Sequence, residues 1–128
     1  MIAFLRGRLA SFKPALAGLR HVLKTQPNSW VHAFITAGVI ALGVWLALDT
    51  MQWALIVLAV ALVWVTEFMN SALETAIDLV SPDHHRLAEI VKDVSAAAVV
   101  LAVLAAVVLG LLVLGPPLWW RVFGSFGG

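Results

Sequence analysis

Three charge-free stretches, Thr25 to Leu48, Thr50 to Thr66 and Val94 to Trp120, predict an all-α membrane protein with three transmembrane helices. Composition points the same way: the 128-residue chain is 62% hydrophobic and 12% charged, more apolar side chain than a soluble core of this size can hide. A third observation adds a fourth helix. Leu5, Leu9, Phe12, Leu16, Leu19 and Leu23 recur at steps of four and three ahead of the first span, the apolar stripe of a helix lying in a membrane interface.

Residues 1–26 form this amphipathic interfacial segment, with Arg6, Lys13, Arg20 and Lys24 along one flank of the stripe, suited to anionic lipid. Pro14 predicts a break, or a helix restarting after Ser11 and Phe12. "TQPNSW" then punctuates the chain, with Pro27 at the boundary and a first span over 29–48. Asp49 and Thr50 form a short turn. The charge-free run after them is too short to cross a bilayer, so its helix continues through the acidic stretch, over 51–80. Ser81 is the expected N-cap and Pro82 a tolerated first residue of the next helix, whose span covers 87–114. Gly115, Pro116 and Pro117 are expected to end it, leaving 115–128 as a tail with Trp119 and Trp120 as interfacial anchors.

The whole chain reads as one membrane-embedded domain without internal repeats. Cysteine is absent, which excludes disulfide and thiolate chemistry. Five basic residues from Arg6 to Lys24 precede the first span, Arg86 and Lys92 flank the second gap, and the gap around Asp49 carries no Lys or Arg. The positive-inside rule therefore predicts a cytoplasmic N-terminus and an external C-terminus. No nucleic-acid partner is expected.

Six of the seven acidic residues fall between Thr66 and Asp93. If the second span starts near Met51 at the outer face, a rise of about 1.5 Å per residue puts Glu67 roughly 24 Å in and Glu74 roughly 35 Å in. A hydrocarbon core of about 30 Å leaves Glu67 just inside the cytoplasmic boundary and Glu74 at or beyond it. Glu67, Asn70, Glu74 and Asp78 are three, four and four residues apart, and so share one helix face. Glu89, Lys92 and Asp93 share a face of the next helix. Carboxylates beside a Lys at this depth suit Mg²⁺ together with an anionic, phosphate-bearing ligand, and membrane carboxylates are costly enough to imply a function. Spacing alone fits a proton or cation pathway equally well, in a small oligomeric membrane protein. His32 reads as an interfacial hydrogen-bonding residue. His84 and His85 have no further ligands at metal spacing, so no zinc site is expected.

"EFMNSALETAIDL" followed by "KDVSAAAV" resembles the signature of the prokaryotic diacylglycerol kinase and undecaprenol kinase family, and the likeness extends from "FKPALAGLRHVLKTQPN" through the third span. The resemblance implies a homotrimeric kinase of the bacterial cytoplasmic (inner) membrane that moves the γ-phosphate of ATP, with Mg²⁺, to a lipid alcohol. It has no Walker loop, and none occurs here. By the same resemblance Glu67 is the general base and Glu74 a Mg²⁺ ligand. Asn70 orders the nucleotide site, Lys92 contacts the ATP phosphates with Asp93 following it, and Asp78 and His85 lie near the nucleotide. Two positions depart from the family pattern. Gln26 stands where a second metal-binding Glu is common, and Ala96 stands where some members carry a hydroxyl, with Ser95 one position early and expected on a different face. The acceptor implied is undecaprenol or diacylglycerol, with the "SPDHH" turn and His32 closer to the undecaprenol-using branch.

Overall fold

The computed structural model describes residues 2–83 and 85–124, with side chains from residue 12 onward. Its order is α1 (Ile2–Thr25), α2 (Pro27–Trp45), α3 (Thr50–Val80) and α4 (Arg86–Phe123). Three of them, α2, α3 and α4, are long and apolar enough to cross a membrane. The all-α, three-span expectation holds.

Helix α1 runs through Pro14 without the expected break. A proline removes one backbone bond, and on an exposed helix water takes up the carbonyl left over. Phe12 and Leu16 are exposed, as an interface-facing stripe requires. The side chains of Leu5, Arg6 and Leu9 lie outside the described residues. The joint between α1 and α2 is tight: Ser29, fully buried, donates through Oγ to the carbonyls of Val22 (3.2 Å) and Gln26 (2.5 Å). Pro27 occupies the start of α2, where its missing N–H costs nothing.

Helix α2 stops at Trp45, three residues short of the expected 48. Ala47 adopts a left-handed φ of 55°, and the Leu48 N–H reaches back to the Gly43 carbonyl at 3.2 Å. This folds Leu46 and Leu48 inward onto Ile56, Val113 and Leu114, the apolar core at this end of the molecule. Asp49 then caps α3: its carboxylate accepts the Gln52 N–H at 2.9 Å, while Gln52 Oε1 accepts the Asp49 N–H at 3.0 Å, a reciprocal capping box.

At the other end Ser81 closes α3 instead of opening α4. Pro82 pushes the preceding residue out of helical geometry, so the cap of α4 falls to His85, whose Nδ1 accepts the Leu87 N–H at 3.2 Å. His84 lies outside the described residues.

Helix α4 does not end at Gly115 but continues through Pro116 and Pro117 to Phe123. A proline inside a helix costs about 3 kcal/mol; here Leu118, just past the pair, packs against the core of Leu46, Leu48 and Ile56, a contact that the continued helix supplies and that offsets part of this cost. Trp119 and Trp120 are thus exposed on a helix, Trp119 packs on Phe123 at 4.6 Å, and Arg121 sits 5.3 Å from the Trp45 ring. Of the expected tail, 125–128 lie outside the described residues.

Candidate active site

Helices α3 and α4 pack closely together, α2 reaches α3 through Thr36–Trp64 and His32–Glu67, and the α1–α2 joint reaches it through Gln26–Glu74. The expected face of α3 forms, with burial graded along it. Glu67 is 2% exposed and Asn70 8%, Glu74 is half-buried, and Asp78 is exposed.

Around Glu74 the side chains join into one network. Gln26, from the α1–α2 joint, donates through Nε2 to Glu74 Oε2 at 2.7 Å, and Asn70 donates through Nδ2 to Oε1 at 3.1 Å. Asn70 Oδ1 faces the Ser95 hydroxyl of α4 at 2.6 Å, and the same hydroxyl lies 2.9 Å from the Lys92 carbonyl. Lys92 Nζ reaches Asp78 Oδ1 at 2.5 Å, in water at the helix ends. The structure therefore brings together Gln26, Asn70, Glu74, Asp78 and Lys92. It does not bring in Asp93, which is exposed, or His85, which is occupied in capping α4.

Among the described residues no three His, Asp or Glu side chains gather to hold an ion. Glu74 is the carboxylate that Gln26 and Asn70 meet, and its oxygens accept from these two amides, whose own oxygens are also hard donors. Mg²⁺ is commonly held by one or two carboxylates together with substrate phosphates and water. The residues present fit that mode and do not form an all-protein cage.

Sequence reasoning missed two residues. Ser95 is buried and bonded to Asn70, not turned to another face; its spacing of three from Lys92 already placed the two together. His32 packs inside, with Nε2 3.5 Å from Glu67 Oε2 and its ring edge-on to Trp64 at 6.3 Å. Gln26, Ser29, His32 and Thr36, spaced three, three and four, form a polar stripe that announced it. From His32 an apolar cleft of about 340 Å³ runs between α2, α3 and α4, past Val39 and Val63 toward Val107 and Leu118.

Membrane-crossing helices with a buried carboxylate and amide network at one end, beside a solvated Lys–Asp pair, define an integral-membrane protein built around a polar interfacial site. The sequence pattern of the prokaryotic diacylglycerol kinase family matches residues 13–114. The chain belongs to that family, a family of bacterial integral-membrane lipid kinases. It is 41% identical over 111 residues to a diacylglycerol kinase of Synechocystis, covering 86% of this chain and 63% of that protein, a little under two thirds of its length. It is 32% identical to the undecaprenol kinase of Bacillus subtilis, covering 84% of this chain and 88% of that one. To the Escherichia coli K12 diacylglycerol kinase it is 31% identical, over 75% of this chain and 80% of the relative.

Proposed function

We propose that this chain is a lipid kinase that transfers the γ-phosphate of ATP to the primary hydroxyl of a membrane lipid, working as a homotrimer in the bacterial inner membrane. Its N-terminus and site face the cytoplasm. The observation that carries this reading is the network from Gln26 through Glu74 and Asn70 to Ser95, set between a buried Glu67 and a partly exposed Lys92.

Glu67 accepts the proton of the lipid hydroxyl as the oxygen attacks phosphorus. Glu74 and Gln26 would hold Mg²⁺, which when bound would neutralise charge on the phosphate oxygens. Asn70, fixed by Ser95, keeps Glu74 in one rotamer. Lys92 offsets the charge of the phosphates, and Asp78 holds its ammonium at the site until nucleotide arrives. Asp93 and His85 belong to the cytoplasmic rim on the nucleotide side. Positioning and electrostatics thus supply most of the rate, as is usual in phosphoryl transfer.

Two relatives are named for different acceptors, diacylglycerol and undecaprenol. Both lipids present a primary hydroxyl, so apolar walls decide between them, by about 1–3 kcal/mol per missing group. We read the polyprenol as preferred with diacylglycerol also used. The test is transfer of labelled phosphate from MgATP to each lipid, alone and in competition, by the purified chain in mixed micelles. No transfer to either lipid would sink the kinase reading and favour a cation or proton pathway. Exclusive use of diacylglycerol would sink only the preference.

A further inference from the structure

The geometry points to His32 as a positioning residue that holds the Glu67 carboxylate for its reaction. The inference rests on the reading of Glu67 as the base. Among the described residues, His32 Nε2 is the one buried side-chain nitrogen or oxygen without a hydrogen-bond partner. The Glu67 carboxylate stands opposite it as an acceptor. Its side chain is 3% exposed, and the polar side chain it meets is His32, whose own side chain is 12% exposed. Buried polar groups find partners, and a buried carboxylate is stable only when paired. The two atoms, 3.5 Å apart, lie within ion-pair range and just beyond a hydrogen bond.

That distance suits a site awaiting substrate, where catalytic hydrogen bonds are often long and tighten only in the reactive complex. The imidazole is also held in place. Trp64 stands edge-on to it and is itself fixed through its Nε1–H to Thr36 Oγ1 at 3.1 Å, one turn along α2 from His32. A small rotation of the Glu67 side chain therefore closes the pair without moving the helices. One carboxylate oxygen is then fixed by His32, and the other is left to accept the lipid hydroxyl proton. His32 also stands at the mouth of the apolar cleft between the three spans, at the level where an acceptor head group would meet Glu67.

The test compares His32→Gln with His32→Asn in the full-length protein. The Gln amide nitrogen reaches the place of Nε2. That of Asn stops near Nδ1 and cannot reach Glu67. A misplaced catalytic group costs on the order of 100-fold. We therefore expect His32→Asn to lower kcat about 10- to 100-fold with KM for MgATP and lipid nearly unchanged, and His32→Gln to recover most of the loss. In a Glu67→Gln background, His32→Asn should cause no further fall, because its effect passes through the carboxylate. Wild-type kcat in His32→Asn, or equal losses in the Asn and Gln variants, would overturn the positioning role while Glu67→Gln remains inactive. Wild-type activity in Glu67→Gln itself would instead remove the base assignment, and the role of His32 with it. Should His32→Asn fail to fold, His32→Gln still decides: a folded Gln variant with kcat reduced as far as 100-fold would overturn the role, and one near wild type supports it.

Discussion

Replacing Gln26 by Glu tests the metal site at the residue that departs from the family pattern. In the native chain the Gln26 amide donates to Glu74 Oε2 at 2.7 Å, across 48 residues of sequence. Gln26→Glu removes that bond, and a hydrogen bond to a charged group is worth about 1.5–3 kcal/mol. It also sets two carboxylates side by side. With charge centres relaxed to roughly 4 Å and an effective dielectric near 20, their repulsion is about 4 kcal/mol. Because Glu74 is only half-buried, water and proton uptake relieve part of both effects, and a net loss of about 2–4 kcal/mol is expected without divalent cation.

Mg²⁺ reverses the sign. A hard cation prefers two carboxylates to one carboxylate and an amide, so the half-saturating free Mg²⁺ should fall about tenfold, equivalent to about 1.4 kcal/mol. Initial rates of lipid phosphorylation against free Mg²⁺, at saturating ATP, measure the second effect. Thermal unfolding in detergent, with chelator and with Mg²⁺, measures the first. The variant should melt below the wild type in chelator and approach it as Mg²⁺ is added. Identical Mg²⁺ dependence together with an unchanged melting point in chelator would show that Gln26 is not beside the metal.

Ser95→Ala strands the buried Asn70 Oδ1, which now faces a hydroxyl at 2.6 Å, and should cost about 1–3 kcal/mol in thermal unfolding, with Ser95→Thr milder. At Gly43 a Cβ would stand 2.9 Å from the Trp53 ring and 3.1 Å from Leu48. Gly43→Ala should therefore destabilise the chain by about 1–3 kcal/mol, and a variant as stable as wild type would show that α2 and α3 separate easily there. A reporter fused after Gly128 should be active only outside the cytoplasm; cytoplasmic activity would invert the assigned orientation.

The three spans were legible because hydrocarbon selects apolar length, a property visible in composition alone. The graded face of α3 was legible because helical spacing fixes which residues share a side. Features decided by tertiary contact were not. Nothing local in "WLALD" announces that Ala47 turns left-handed; the inward packing of Leu46 and Leu48 decides it. Pro116 and Pro117 signal a helix end, yet the same pair lies within α4, whose continuation packs Leu118 on the core of Leu46, Leu48 and Ile56. The cap of α4 moved from Ser81 to His85 because Pro82 constrains the residue before it, and that constraint ends one helix before the next begins. Gln26 and Glu74 were both singled out, but their contact joins segments that no local pattern relates.

The gradient along α3 also explains why one helix face suits a reaction between partners that share no solvent. From Glu67 to Asp78 is eleven residues, a rise of roughly 16 Å, and over that distance exposure climbs from 2% at Glu67 to 66% for the side chain of Asp78, with that of its α4 partner Lys92 at 39%. On the proposed kinase reading, a lipid hydroxyl would be confined to the apolar end and a nucleotide to the wet end. Glu74 and Asn70 stand between, tied to α1 and α4 through Gln26 and Ser95, so the middle of the face is the most constrained part of the site. The proposed phosphoryl transfer would need its rigidity there, where attacking and leaving oxygens must align, and would tolerate freedom at either end, where lipid and nucleotide would exchange. A carboxylate moved one turn toward the hydrocarbon would be too costly to charge, and one moved a turn toward water would be out of reach of the lipid hydroxyl.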